Sequence, residues 1–332
     1  MSPIYKCISP LLTLTLLLTG CGSVWADARP IDELVQVETV GLDPDETGVA
    51  LSICAASPKT RETAAGRSIR LAMDAMQQRT GSAALFYAHA KFLLLGPEAD
   101  IPAALDFMAR SSDMRLRTPA VLLKNVSAAE AIRLGDGKTD VTAMLSALQE
   151  DMNLHGRGHV FTCGEVLRSL SETGCGLLAA AERRDGTLRE AGYGILKDGT
   201  CVGWIGQKDA AAVNLLLSLG GHGDLLLPEG VTVTIAQSRC KRSAGRIELT
   251  LRAMLSENDA GLSVTDDDAR RALEEALCRA VLAQTRSVLE QSRELGADVF
   301  GVGDGDVRVN VRAVITRSYD LVDPVNLTGA KR

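Results

Sequence analysis

Residues 193–205 read Tyr193-Gly194-Ile195-Leu196-Lys197-Asp198-Gly199-Thr200-Cys201-Val202-Gly203-Trp204-Ile205. Two apolar runs flank Lys197-Asp198-Gly199-Thr200. An Asp-Gly pair at such a point favours the positive-φ turn that joins two antiparallel strands directly. Parallel neighbours need a long crossover instead, so a chain of strict βαβ units has no place for this hairpin. The hairpin therefore points to the α+β class. The expected architecture is two to three subdomains, each a mixed or antiparallel sheet with helices packed on it, and with those helices on one face.

Reading outward, the flanks alternate between the two periods. Upstream, residues 35–42 and 49–55 predict a second hairpin about Asp43-Pro44-Asp45-Glu46-Thr47-Gly48. Residues 60–78 predict a helix with Ile69, Ala72, Met73 and Met76 on one face, closed by Gly81. Residues 85–95 read as one buried strand. Asp100 and Pro102 open a helix carrying Ile101, Ala104, Leu105 and Met108, and residues 120–123 form another strand. Ser127 and Glu130 form a capping box, and Val141, Met144, Leu148 and Met152 stripe the next helix.

Downstream, residues 207–219 predict a helix ending at Gly220-Gly221. Residues 231–237 and 246–254 alternate as strands. Thr265 is placed as the cap of the longest helix, with Asp266, Asp267 and Asp268 where the helix dipole favours anions. The helix runs for roughly 30 residues, about 45 Å, with an apolar line through Leu273, Leu277, Val281, Val288 and Leu295. Val307, Val309, Val311 and Ala313 then alternate with Arg308, Asn310 and Arg312, one face buried and one wet.

The chain has 332 residues, 46% of them apolar and 23% charged, with a formal net charge of −6. That length holds two or three domains. The acidic balance argues against a dedicated nucleic-acid binder, which needs a basic face for phosphate. Aromatic residues make up only 3%, little for a stacking cleft.

The N-terminus carries a separate signal. Lys6 precedes a short apolar run, residues 11–18, far below the roughly 20 residues of a bilayer span. The pattern predicts a signal peptide over residues 1–20. It ends in Leu18-Thr19-Gly20-Cys21, which resembles a bacterial lipobox. Small residues fit a narrow peptidase groove, and the Cys21 thiol is a nucleophile able to accept a diacylglyceryl group. Cys21 is thus the predicted lipidation site, and residues 21–30 the lipidated tether. The body divides into 31–185 and 186–325, with a secondary break expected near 228.

Export would permit disulfides. Cys54, Cys163, Cys175, Cys201, Cys240 and Cys278 are scattered through apolar segments without a CxxC, so free, mostly buried thiols are expected. Cys163 and Cys175 are the pair to test for a bridge. His155 and His159 share an i, i+4 spacing, but Gly156 and Gly158 lie between them and no third ligand is evident, so a loop is expected rather than a metal pair. Gly301-Val302-Gly303-Asp304-Gly305-Asp306 reads as a tight turn and Gly220-Gly221-His222-Gly223-Asp224 as a connector. His89, in the predicted buried strand, reads as a core or edge histidine. No catalytic, cofactor or metal residue is assigned, and an enzyme is not expected.

The lipobox Cys21 is followed by Ile31-Asp32-Glu33-Leu34. That order resembles the Ger(x)C family, the lipoprotein C subunits of nutrient germinant receptors in endospore-forming bacteria. Tyr87-Ala88-His89-Ala90-Lys91-Phe92-Leu93-Leu94-Leu95-Gly96 is similar to the family's apolar strand with its His-x-Lys. Arg115-Leu116-Arg117-Thr118, Val202-Gly203-Trp204-Ile205, Gly296-Ala297-Asp298-Val299-Phe300-Gly301 and the last strand also match in order. Two features depart from it. Gly22, Ser23 and Val24 separate Cys21 from Trp25, and the aromatic-rich segment usual before the last strand is nearly absent after Gly305. The resemblance implies a non-catalytic subunit without a cofactor, held by acylated Cys21 to membrane lipid on the outer face of the inner spore membrane. Its partners would be multipass A- and B-type receptor subunits, with no nucleic acid. The alternative is a solute-binding lipoprotein of a transporter, with two lobes around a cleft. An exported enzyme using His89 or His155 is a third class.

Overall fold

The apolar runs Phe92–Leu95 and Ala120–Leu123 lie at the centre of the larger of two sheets. Every residue in both is buried. The computed structural model describes residues 34–56, 60–81, 84–135, 139–219, 223–227, 230–258, 266–303 and 305–316. Its strands are β1 (Leu34–Asp45), β2 (Gly48–Ala55), β3 (Arg61–Gly66), β4 (Ala84–Phe86), β5 (Phe92–Leu95), β6 (Ala120–Leu123), β7 (Cys175–Arg184), β8 (Thr187–Lys197), β9 (Thr200–Ile205), β10 (Gly223–Leu227), β11 (Val231–Ser243), β12 (Arg246–Asn258) and β13 (Arg308–Thr316). The helices are α1 (Ile69–Arg79), α2 (Ile101–Arg110), α3 (Ala128–Arg133), α4 (Val141–His155), α5 (Cys163–Thr173), α6 (Gln207–Leu217) and α7 (Asp267–Glu294).

The larger sheet has nine strands in the order β3-β2-β1-β5-β6-β7-β8-β9, with β4 beside β1. Its middle, β1-β5-β6-β7, is parallel, and its two flanks are antiparallel hairpins. The period of two explains the continuous apolar runs. Leu93, Leu95, Ala120 and Leu122 pack with α1, α2 and α5. Phe92, Leu94, Val121 and Leu123 face the other way, into α3 and α4. A strand covered on both faces has no reason to alternate. The α+β class with mixed sheets is therefore what the chain adopts, but this sheet has helices on both faces, not one.

The smaller sheet has the order β10-β11-β12-β13. One face of it packs on α7, through Ile247, Leu249 and Leu251 against Leu273, Leu277, Val281 and Val288. That core is continuous with Leu177, Tyr193, Ile195 and Ile205 of the larger sheet and with α6, so the two sheets share it. The expected boundary at 185/186 falls in the β7–β8 turn, and the larger sheet takes strands from both sides of it.

The Lys197–Thr200 hairpin forms as read, with Asp198 and Gly199 both at positive φ. The Ser127–Glu130 capping box is present. Three elements differ from expectation. The segment expected to start a helix at 60 is β3, which pairs along β2; Ser52 Oγ and Thr63 Oγ1 are 2.8 Å apart. The helix begins only after Ser68, whose side chain accepts from the Leu71 amide. A Cβ on Gly66 would lie 2.5 Å from the Ala72 nitrogen, so the turn between strand and helix needs glycine there. The single strand expected over 85–95 is broken at Tyr87–Ala90, where the Ala90 amide bonds the Tyr87 carbonyl. β4 pairs with the start of β1 and β5 with its later part, on either side of a register shift at Val37/Thr39, so one straight strand cannot serve both. The cap of α7 is Asp266, which accepts from Asp268 and Ala269; Thr265 lies outside the described residues. β7 and α5 had no counterpart in the sequence reading.

Candidate functional site

The predicted lipidation residue, Cys21, lies outside the described residues, as do Ile31, Asp32 and Glu33 of the motif after it. Leu34 begins β1. Among the described residues, no helix is long and apolar enough to cross a membrane.

The other singled-out residues resolve into structural roles. His89 is exposed in the turn between β4 and β5, its ring 5.3 Å from that of Phe86, and so is not the strand histidine expected. Lys91, two residues on, pairs with Glu38 of β1 at 2.6 Å while its amide bonds the Glu38 carbonyl. The His-x-Lys segment thereby registers β5 on β1. His155 ends α4 and sits 3.4 Å from Asp151, before Gly156 in the left-handed conformation. His159 is half-buried edge-on to Phe161, and burial lowers its pKa against the opposing charge of Glu165. Among the described residues, no three His, Cys, Asp or Glu side chains are grouped to hold a metal.

All six described thiols are free. Cys163 starts α5 and Cys175 follows its end, so ten residues of helix, about 15 Å, separate them. A disulfide needs Cα atoms within about 7 Å. Burial pushes the Cys163 thiol up to about 12 and also raises Cys54, Cys175, Cys201, Cys240 and Cys278. A thiolate nucleophile needs the opposite shift.

The remaining motif residues clasp elements together. The Arg115–Thr118 stretch reaches α5: the Cys163 amide bonds the Thr118 carbonyl and the Gly164 amide the Leu116 carbonyl. Trp204 of the Gly-Trp hairpin lies under Lys124 Nζ at 5.5 Å. After α7, Gly296 takes φ +60 and Asp298 accepts from the amides of Val302 (3.0 Å) and Gly303 (2.7 Å). Phe300 is buried and its carbonyl accepts from Arg242 at 3.0 Å. The 301–303 turn is therefore closed on itself by Asp298.

The sequence matches two family descriptions in succession: "Spore germination protein N-terminal domain" over residues 27–182 and "Spore germination B3/GerAC like, C-terminal" over residues 191–310. The chain belongs to this GerAC-like family. No curated protein matches the sequence. The fold is similar to that in the crystal structure of the GerBC protein, with a TM-score of 0.53 at 14% identity, covering 83% of this chain and 97% of that one. At that identity the likeness is one of fold. The segments at Lys91, Arg115–Thr118, Trp204 and Asp298 thus lie where elements are joined.

Among the described residues are one apolar-floored cavity and one charged sheet face. A cavity of about 490 Å³ lies between the start of α1 and α2, at the end of the β1–β2 hairpin, floored by Leu42, Val49, Ile69 and Phe107. Asp43 at its rim has both oxygens occupied by the amides of Ala128 and Ala129 at 2.8 Å. The other is the open face of the smaller sheet. Arg239, Lys241, Arg246, Arg252, Arg308 and Arg312 are all exposed on its strands. No sequence motif marks that face; only the register of β11, β12 and β13 assembles it.

Proposed function

We propose that this GerAC-like chain is the lipid-anchored C subunit of a nutrient germinant receptor. The observation that carries the reading is the succession of a lipobox at Cys21 and both family domains across residues 27–182 and 191–310. In this reading the leader is removed and Cys21 is acylated. The body then stands on the outer face of the inner spore membrane beside multipass A- and B-type subunits. Acyl chains contribute about 0.8 kcal/mol per buried CH₂, so more than one chain holds a protein durably. The role is non-catalytic: the subunit stabilises the receptor and is needed for its response. Raised thiol pKa values and a motif set devoted to joining elements support that role.

The test is Cys21→Ala in the producing organism. Spores should form normally and germinate poorly in the cognate nutrient. Normal germination, or a native mature chain whose intact mass carries no acyl adduct, would overturn the proposal.

A further inference from the structure

Among the described residues, a helix covers only one face of the smaller sheet. α7 takes the side carrying Ile247, Leu249 and Leu251. On the opposite side, the pairing places residues in rows across three strands. Ser243, Arg246 and Arg308 form one row, and Lys241, Glu248 and Asn310 the next. Arg239, Thr250 and Arg312 follow, then Gln237, Arg252 and Val314. Paired residues in neighbouring strands point to the same face. Six cations and one carboxylate, Glu248, therefore share a face extending roughly 20 Å along the strands.

Glu248 bonds Arg246 at 2.5 Å. Among the described residues, none of the other five cations has a carboxylate within ion-pair distance. The whole sequence carries a net charge of −6, so this face runs against the charge of the molecule. Val314 stands among the cations and is 50% exposed. Leu226, on β10 beyond these rows, is 70% exposed, and beside it Asp224 and Glu257 accept from Thr234 and Thr232, so the cationic rows end there. Rows of cations around an exposed aliphatic side chain suit a plane of phosphates over hydrocarbon.

We propose that this face docks on the anionic phospholipid headgroups of a bilayer. An acidic polypeptide adding to the sheet as a strand would use its edges, β10 and β13, rather than the side-chain rows. The proposal rests on the reading of the chain as a membrane-held subunit. An acyl anchor raises the local concentration of the bilayer, so modest electrostatic affinity orients the body.

The full chain carrying Cys21→Ala removes acylation from the measurement. It is sedimented with phosphatidylcholine vesicles, with and without phosphatidylglycerol. Binding should require phosphatidylglycerol and fall as salt is raised. Arg252→Gln combined with Arg312→Gln should weaken binding roughly 25-fold, about fivefold for each cation lost. Glu248→Gln should strengthen it. Near-ultraviolet circular dichroism checks that the variants are folded. Equal binding to both vesicle types would overturn the proposal, as would a double variant that binds like the parent. Retention on polyglutamate with no vesicle binding would assign the face to an acidic protein and overturn it too. A native chain found without an acyl group would defeat the anchor yet leave this vesicle result standing, so the two failures are distinguishable.

Discussion

The Tyr193 hydroxyl donates to the Asn214 side-chain oxygen at 2.6 Å, joining β8 of the larger sheet to α6. The Asn214 amide nitrogen in turn donates to the carbonyls of Gly156 (3.0 Å) and Gly158 (3.1 Å), in the loop after α4. One buried side chain thus ties a strand, a helix and a loop at the junction between the two halves of the chain. A buried network of this kind stabilises when complete and costs when one member is removed.

Asn214→Leu should leave two carbonyls unpaired and the Tyr193 hydroxyl with only the His159 amide, and lower the unfolding free energy by about 2–4 kcal/mol. Tyr193→Phe removes the bond to Asn214 and the one from the His159 amide and should cost about 1–2 kcal/mol. Urea denaturation measures both. A cost below a few tenths for Asn214→Leu would show that the junction does not depend on this network.

Gly192 has φ +84, and a Cβ there would lie 2.0 Å from the Ile205 carbonyl oxygen. The obstacle is backbone, so no side-chain rotation relieves it. Gly192→Ala should destabilise by roughly 2–4 kcal/mol, through left-handed strain plus displacement of β9. A thermal midpoint equal to the parent's would contradict the geometry.

Stability should fall on mild acidification because of His159. Burial lowers its pKa in the folded chain. The unfolded chain then binds the proton more readily, so the contribution is complete above the unfolded value of about 6.5 and is lost as pH falls through the folded value. His159→Phe should flatten the midpoint-against-pH curve just below pH 6.5. Glu165 acts in a lower window. Burial pushes it up, but the amide and hydroxyl of Thr162 donate to it and hold it below the usual range, so its share is lost only below about pH 4.5.

Cys54, Cys163 and Cys175 are buried free thiols. In the native chain at pH 8 they should resist iodoacetamide and react fully after unfolding. Adding reductant should leave the thermal midpoint unchanged. A reductant-sensitive midpoint would contradict the free state of the described thiols.

Much of the fold was legible because local chemistry and tertiary structure agree. Asp198-Gly199 makes its turn, Ser127 and Glu130 cap α3, and the β13 alternation buries Val309 and Ile315 while leaving Arg308 and Arg312 wet. Reading failed where long-range pairing overrides local preference. The Ala-rich stretch before Ser68 looks helical, yet β2 offers it an edge. The apolar run through Tyr87 looks like one strand, yet a register shift in β1 splits it. Of the residues proposed to act, the lipobox-like string was legible locally, whereas the six cations were not, since they are spread over some seventy positions of three strands.

By itself, the sequence determined the two hairpin turns, the Ser127–Glu130 capping box and the alternation of the last strand, because these depend on neighbours within a few residues. It also carried the succession of motifs that marks the family. Only the tertiary structure decided that the larger sheet is parallel at its centre and covered on both faces. It alone decided that Tyr193 meets Asn214 across the junction, and that arginines distant in sequence share one open face. Those outcomes depend on which strands pair and in what register, and that is set by burying the whole apolar surface at once.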